Sequence, residues 1–352
     1  MKKTFKIFFA AQDPGGFNAI LPVIKELKNN KKFPLKIFLA NQSRDIAKKG
    51  GIDYQDSNNL SDKKLVQLFQ EGRPNLVFTA TSTGTSIEKS LIKIAKKRKI
   101  PTASLIDFWS NYKIRFSDPG TENLIYIPDY ILVIDEMMKK EMINQGFDPE
   151  KLIITGSPFF DTFPSLIKTG QRGKVISFFC QPLSELFNRT AKDYLGYNEI
   201  QVFRDLVESL EKKKVKLPII IKFHPRAKKL KKFDKIIKNS KMNILIEKKL
   251  PVEALIEKSK LVMGMNSVVL FQAAMTGKLV LSYQPNLKKQ DPLMSNRLKI
   301  STAVYEKKSL YPALKKLLSG KNKKKNLILI KKYTKNKSTN KVIDFIENII
   351  KK

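Results

Sequence analysis

Short, almost wholly apolar runs alternate with amphipathic segments along most of this chain. The first six of these runs cover residues 5–11, 35–40, 75–80, 101–106, 128–134 and 151–155. A strand that is apolar on both sides must be covered on both sides, as in a parallel sheet with helical crossovers. The pattern therefore predicts an α/β fold with a doubly wound parallel sheet, in which the ligand-binding loops follow the carboxyl ends of the strands.

The alternation is interrupted once and then begins again. Residues 156–172 contain two prolines and no long periodic run, and five further apolar runs follow at 175–180, 219–223, 243–247, 261–264 and 278–283. A chain of 352 residues also exceeds one typical core. We therefore expect two Rossmann-like domains facing a cleft, at 1–155 and 173–320, with an interdomain crossover at 156–172 and a helical tail at 321–352.

The charge of the chain indicates an anionic partner. The formal net charge is +36, which suits nucleic acid, an anionic membrane surface or a phosphorylated substrate. Only nine of the 68 cationic residues are arginine, the residue that phosphate forks and base edges favour. A general bias towards lysine explains the charge as well as a ligand does.

Two features predict a cytoplasmic protein. Cys180 has no second cysteine to pair with, which excludes a disulfide and indicates a reducing compartment. The apolar run near the amino terminus is broken at Gln12 and is too short for a signal peptide, and no run approaches the length of a membrane span. The lysines would still allow peripheral contact with the inner face of an anionic membrane.

The run at 219–226, IIIKFHPR, carries the only histidine of the chain, His224. The pattern predicts a buried strand. Its carboxyl end carries Lys222, His224, Pro225 and Arg226. An imidazole beside two cations at such a strand end suits a phosphate-bearing ligand. The alternative is a structural histidine that satisfies a neighbouring carbonyl group.

The first strand leads into a second candidate site. It is followed by Asp13, Pro14, Gly15 and Gly16 and then by an amphipathic helix. Glycines allow a ligand to approach the backbone closely, and the first amides of a helix attract anions or hydroxyl groups. Neither a GxGxxG fingerprint nor a P-loop is present. A simple tight turn is the alternative interpretation.

A third cluster follows the strand predicted at 101–106. Asp107, Trp109, Tyr112 and Arg115 lie within nine residues of one another, and Trp109 is the only tryptophan. An aromatic face beside a carboxylate is suited to holding a sugar ring. An aspartate that caps a turn is the alternative for Asp107, as it is for Asp13.

Four segments together resemble the GT-B superfamily of nucleotide-sugar glycosyltransferases. DPGGFNAILPVIKEL resembles the glycine turn over the acceptor site, and ITGSPFFD resembles the segment that closes the first domain. KFHPR and MNSVVLFQAAMTGKLVLSY are similar to the donor half of sialyl-, Kdo- and glycerophosphotransferases that carry a His-Pro motif. These segments are residues 13–27, 154–161, 222–226 and 265–283.

The resemblance implies a donor site in the second domain. In those families the histidine, here His224, contacts the donor phosphate. The amino-terminal amides of the helix that begins after Asn266 and Ser267, with Val268, would bind the same phosphate. Gln272 stands where the superfamily often has a carboxylate for the donor ribose, which leaves the identity of the donor open.

The resemblance further implies a metal-independent, inverting glycosyltransferase of surface polysaccharide synthesis. It would move a sugar, with acidic sugars among the candidates, from a nucleotide-activated donor to a glycan or lipid-linked acceptor. No Asp-x-Asp motif or His/Cys cluster suggests a metal site, and no cofactor is expected. Asp13 is the first candidate for the general base and Asp107 the second, with Trp109 as a platform and Arg115 as a clamp for an anionic acceptor.

Two other functions stay open at the level of sequence. A nucleotide-sugar 2-epimerase shares the architecture, but it would need several acidic groups and further basic or histidine residues at the sugar. A basic RNA-binding protein would use the charge of the chain, although no RRM, KH or zinc-finger signature is present.

Overall fold

The computed structural model describes residues 4–163, 173–186, 194–225, 227, 230–319, 326–335 and 337–351. The chain forms two compact units. Unit 1 comprises Met1–Thr162 and Lys335–Lys352, and unit 2 comprises Phe163–Thr334. Unit 1 also includes residues 156–162 of the expected crossover and the end of the predicted tail, and unit 2 includes the first part of that tail. The part of the predicted crossover at 164–172 and the lysine run at 321–325 lie outside the described residues.

Unit 1 contains a seven-stranded sheet in which all strands are parallel. The strands are β1 (Ile7–Ala11), β2 (Leu35–Leu39), β3 (Gln55–Asp56), β4 (Leu76–Thr79), β5 (Thr102–Leu105), β6 (Tyr130–Val133) and β7 (Leu152–Ile154). Their order in the sheet is β3-β2-β1-β4-β5-β6-β7. The helices are Pro14–Lys28, Ser43–Lys49, Asp62–Gly72, Ile87–Lys97, Glu136–Asn144, Pro158–Asp161 and Ser338–Lys351, and short 3₁₀ turns cover Lys113–Phe116 and Pro149–Lys151.

Unit 2 contains a six-stranded parallel sheet. Its strands are β8 (Val175–Cys180), β9 (Ile219–Phe223), β10 (Ile244–Ile246), β11 (Ser259–Gly264), β12 (Leu279–Tyr283) and β13 (Thr302–Val304), in the order β10-β9-β8-β11-β12-β13. The helices are Leu183–Leu186, Glu199–Lys212, Asp234–Asn239, Val252–Lys258, Val268–Met275, Met294–Arg297, Lys307–Leu318 and Asn326–Thr334, with a 3₁₀ turn at Leu230–Phe233. The predicted class, two parallel α/β domains, is confirmed, although β3 and β13 were not predicted.

Apolar side chains cover both faces of the first sheet, as its sequence requires. On one face Phe9 and Phe78 pack with the helix Pro14–Lys28, and on the other face Phe8 and Val77 pack with the helices Asp62–Gly72 and Ile87–Lys97. All five residues of β1 are fully buried. The polar residues that follow each strand therefore lie beyond its carboxyl end and outside the apolar layers.

The helix Ser338–Lys351 completes the core of unit 1. Val342 and Ile346 are fully buried in the same cluster as the helix Pro14–Lys28. Phe345 makes an edge-to-face contact with Tyr130, with ring centroids 5.3 Å apart. The backbone N–H and the hydroxyl of Thr339 both donate to Oδ2 of Asp161, at 2.8 and 2.9 Å. The end of the chain is therefore an integral layer of the first unit.

Replacing Ile346 by alanine should destabilise unit 1 by about 2–5 kcal/mol, because the substitution removes buried methyl groups and leaves a cavity. Urea unfolding followed by circular dichroism would measure the loss. The matched control is Ile143→Ala, since Ile143 is 39% exposed in the same unit. Equal stability of the two variants would contradict the assignment of the last helix to the core.

Candidate functional site

Each sheet has one position at which the strand order reverses. The reversal lies between β1 and β4 in unit 1 and between β8 and β11 in unit 2. Crossovers on the two sides of such a position leave in opposite directions and open a crevice at the carboxyl ends of the strands, where doubly wound sheets bind ligands. The candidate sites of the two units therefore lie at these two sets of strand ends.

His224 lies at the carboxyl end of β9, next to the reversal in unit 2. Its backbone N–H donates to the carbonyl of Cys180 at 2.9 Å, which extends the pairing of β8 and β9 by one bond. Its own carbonyl accepts the N–H of Ala227 at 2.9 Å in a turn that begins with Pro225, and both His224 and Pro225 are exposed. Arg226 lies outside the described residues.

Gln181 and Asn266 meet across the reversal in unit 2. The backbone N–H of Asn266, after β11, donates to Oε1 of Gln181, after β8, at 3.3 Å. Because β8 lies between β9 and β11, Gln181 stands between His224 and Asn266 in a row of three neighbouring strand ends. Adjacent strands are about 4.8 Å apart, so the row spans roughly 10 Å. Sequence analysis assigned no role to Gln181, and its position directly after a buried strand was the one available signal.

The helix Val268–Met275 begins at the same strand end with two open amides. Ser267 caps it, since its hydroxyl accepts the N–H of Val269 at 3.3 Å and its carbonyl accepts the N–H of Leu270 at 3.0 Å. Within the described residues, the N–H groups of Ser267 and Val268 donate to no protein acceptor. The side chain of Val268 is 54% exposed, so solvent reaches this end of the helix.

Two residues predicted to bind the donor have other places in the structure. The ammonium of Lys222 donates to the carbonyl of Leu250 at 2.7 Å and so holds the loop before the helix Val252–Lys258. Gln272 is only 8% exposed, because its turn of the helix faces the interior of unit 2. The prediction that Lys222 and Gln272 bind the donor therefore needs correction, because one holds a loop and the other is buried. Asn266, Ser267 and Val268 do lie at the strand end.

In unit 1, Asp13 ends the turn after β1 and begins the helix Pro14–Lys28. Its carbonyl accepts the N–H of Phe17 at 2.9 Å, but its side chain makes no capping hydrogen bond. Among the described residues no hydrogen bond or ion pair to this carboxylate is present. A carboxylate without an internal partner at a strand end is available to accept a proton from a bound hydroxyl group.

Asp107 lies against the glycine turn. A Cβ atom on Gly15 would stand 2.6 Å from Oδ2 of Asp107, so a side chain at this position would displace the carboxylate. A Cβ atom on Gly16 would stand 2.8 Å from that of Ala80, so Gly16 allows the helix to pack against the end of β4. The structure thus brings together Asp107 and Gly15, which sequence analysis placed in separate clusters of one site.

Arg115 positions Asp107. Its Nη1 donates to Oδ1 of Asp107 at 2.7 Å and to the hydroxyl of Thr81 at 2.9 Å, and its Nε donates to the carbonyl of Ser110 at 3.0 Å. The side chain is only 9% exposed. The prediction that Arg115 clamps an anionic acceptor directly is therefore corrected to a positioning role.

Trp109 does not offer an open aromatic face. Its ring is 3% exposed and stacks on Phe160, with centroids 5.9 Å apart, and its Nε1–H donates to Oδ1 of Asp135 at 3.0 Å. The same carboxylate oxygen caps the helix Glu136–Asn144 through the N–H of Met138 at 2.8 Å. The predicted sugar platform is therefore wrong, because the indole is part of the core.

Glu88 is a buried carboxyl group that sequence analysis missed. Its Oε1 accepts the backbone N–H of Gln12, after β1, at 3.0 Å and the hydroxyl of Ser82, after β4, at 2.7 Å. Its Oε2 is buried and has no hydrogen-bond partner in the described part of the chain. The neighbouring ammonium of Lys89 instead donates to the carbonyls of Gly84 and Ser117, both at 2.6 Å. Glu88 thus ties the two strand ends of the unit 1 reversal together.

Burial raises the pKa of Glu88 above its ordinary value, although the hydrogen bonds from Ser82 and from Gln12 oppose the shift. The folded chain therefore keeps a proton at pH values at which the unfolded chain releases it. The contribution of protonated Glu88 to stability is fully present below the pKa that Glu88 has in the unfolded chain. This contribution falls as pH rises towards the pKa of Glu88 in the folded chain.

Glu88→Gln should remove this pH dependence. Gln retains the acceptor for Gln12 and Ser82 but does not ionise, so the variant should gain stability over the parent as pH rises from about 4 to 8. Thermal unfolding at several pH values would measure the difference. The control Glu26→Gln removes an exposed carboxylate from the helix Pro14–Lys28. If the difference in melting temperature between Glu88→Gln and the parent does not change with pH, the prediction is contradicted.

The described residues form neither a metal-binding cluster nor a membrane-spanning helix. No three His, Cys, Asp or Glu side chains among them converge as a metal site would require. None of the described helices has both the length and the apolar composition needed to cross a bilayer. Independence of a metal stays a prediction.

The comparison with protein families gives one match. The sequence model of the alpha-2,8-polysialyltransferase family matches residues 123–278. This segment contains Gln181, His224 and the start of the helix Val268–Met275. No protein of curated function matches the sequence.

Solved structures show the fold of the whole chain. The UDP-GlcNAc 2-epimerase of Methanocaldococcus jannaschii has a TM-score of 0.70 at 14% identity, with 98% of this chain and 100% of that chain covered. The S. aureus MnaA–UDP co-structure has a TM-score of 0.70 at 15% identity, with 99% and 98% covered. MurG of Acinetobacter baumannii has a TM-score of 0.58 at 12% identity, with 98% and 99% covered. These structures confirm the fold that the GT-B resemblance implied, and the family match falls on a segment that carries part of that resemblance.

Proposed function

We propose that this chain, whose fold is that of GT-B glycosyltransferases, moves a sugar from a nucleotide-activated donor to a glycan or lipid-linked acceptor. The observation that carries the proposal is the row of strand ends in unit 2. His224 and the open amides of Ser267 and Val268 lie there, inside the segment that matches the polysialyltransferase model. Imidazole and helix amides are suited to a phosphate group.

The donor phosphate gains negative charge as the bond to the sugar breaks. A protonated His224 donates a charge-assisted hydrogen bond to this phosphate, and the amides of Ser267 and Val268 add the positive end of the helix dipole. Groups that are fixed before the reaction stabilise such developing charge without further reorganisation. In our proposal they do so without a bound metal ion.

The acceptor hydroxyl needs a base on unit 1. We assign this role to Asp13, because its carboxylate has no partner among the described residues, whereas Oδ1 of Asp107 is occupied by Arg115. The acceptor oxygen attacks the anomeric carbon, its proton goes to Asp13, and the bond from that carbon to the phosphate oxygen breaks with inversion. We also assign Asp107 and Gly15 to binding of the acceptor.

The match also suggests the substrate class. A polysialyltransferase adds an acidic sugar, and the +36 charge of this chain suits an anionic glycan or a lipid-linked acceptor at the cytoplasmic face of a membrane. The proposed donor is therefore a nucleotide-activated sugar, with acidic sugars first among the candidates.

A second candidate function has one observation in its favour. Several of the similar structures are UDP-GlcNAc 2-epimerases, which include the one from Methanocaldococcus jannaschii named above. Its identity to this chain is 14%, and that likeness concerns the fold. Against this function, the chain has a single histidine for a reaction that needs several proton-carrying groups at the sugar.

Nucleotides released from the donor should stabilise the protein. A nucleotide at 100 times its dissociation constant adds about 2.7 kcal/mol, or about 5–10 °C in melting temperature. A thermal-shift panel of CMP, CDP, UDP and GDP would identify the donor nucleotide, with the corresponding nucleosides as controls. If none of the four stabilises the protein, the proposal fails. Epimerisation of UDP-N-acetylglucosamine in the absence of any acceptor would favour the second candidate.

His224→Ala and Asp13→Asn should each abolish most of the transfer while the fold is retained. Loss of a hydrogen-bond donor that stabilises developing charge lowers kcat by about 100- to 1,000-fold. Transfer of a sugar from a donor that carries the nucleotide identified in the panel would be measured together with the melting temperature. Only His224→Ala should also weaken binding of the nucleotide. Full activity of either variant would refute the role assigned to that residue.

A further inference from the structure

We infer that the side-chain amide of Gln181 is a ligand of the donor phosphate, between His224 and the helix Val268–Met275. This inference rests on the proposed function and names one more residue of the same site. It arises from a hydrogen bond across the strand reversal rather than from any motif in the sequence.

The orientation of the Gln181 amide follows from its partner. The backbone N–H of Asn266 can only donate, so the atom of Gln181 that it contacts at 3.3 Å must be the oxygen Oε1. The other end of the amide, Nε2, is then fixed as a donor of two hydrogen bonds. The hydrogen bond from Asn266 to Gln181 therefore fixes the orientation of the Nε2 amide group.

The donor end of this amide has no internal use. No acceptor for Nε2 is found among the described residues, and Nε2 is not among the fully buried atoms without a partner. Gln181 as a whole is partly exposed. An oriented amide N–H that solvent can reach is a group that a ligand oxygen can bind without displacing a protein contact.

The surroundings indicate which ligand oxygen this is. Gln181 follows β8, the middle strand of three, with His224 on one side and the open amides of Ser267 and Val268 on the other. Each of these groups can donate a hydrogen bond. A phosphate group, with several acceptor oxygens and negative charge, fits such a set better than a neutral hydroxyl does.

Gln181→Glu tests the inference. A glutamate keeps an oxygen for the N–H of Asn266 but loses the N–H donor and places a negative charge beside the phosphate. We expect the dissociation constant of the best nucleotide from CMP, CDP, UDP and GDP to rise roughly tenfold or more by titration calorimetry. The weak binding of the matching nucleoside, which lacks phosphate, should not change.

Two further variants separate the outcomes. Gln145→Glu makes the same charge change at an exposed position of unit 1 and should leave binding unaltered. Gln181→Ala should weaken nucleotide binding less than Gln181→Glu, since it adds no negative charge. Unchanged nucleotide binding by Gln181→Glu, or an equal loss for nucleotide and nucleoside, would overturn the inference while the proposed function stands. Failure of the unaltered protein to bind any nucleotide would refute both.

Discussion

The structure depends on one constraint, namely that a parallel strand carries apolar side chains on both faces and has to be covered on both. Phe8 and Phe9 illustrate it, because neighbours in β1 pack into opposite layers of unit 1 and both are fully buried. With the faces closed, polar chemistry is confined to the loops at the strand ends. Asp13, His224 and Gln181, to which we assign catalysis and substrate binding, all lie within two residues of a strand end for this reason.

At both strand reversals a side chain bridges the gap that the topology opens. In unit 1 Glu88 accepts the N–H of Gln12 and the hydroxyl of Ser82, and in unit 2 Gln181 accepts the N–H of Asn266. Each bridge accepts a hydrogen bond from a backbone N–H that lies just beyond the end of its strand. Such an N–H group costs free energy when it is buried without an acceptor. The two bridges differ chemically. Glu88 is wholly buried and can only hold the loops, whereas the amide of Gln181 has a second end that faces outwards.

The sequence was sufficient to predict what depends on periodicity and local turns. The parallel α/β class, the place of His224 after a strand and the helix start at Ser267 follow from short patterns that neighbouring residues determine. Trp109 could not be predicted in the same way, because its burial depends on Asp135 and Phe160, which are 26 and 51 positions away in the sequence. Glu88 resembles an ordinary acidic residue in a first helical turn, and only the folded chain places it beside Gln12. The strands β3 and β13 escaped prediction because they have two and three residues, too few to show a period.

The return of the helix Ser338–Lys351 to unit 1 has a consequence for how the protein is made. During synthesis the ribosome delivers all of unit 2 before the helix Ser338–Lys351, which shares a core with the helix Pro14–Lys28. That core is therefore incomplete until unit 2 has been synthesised. Unit 2 is thus complete in the growing chain before unit 1 is.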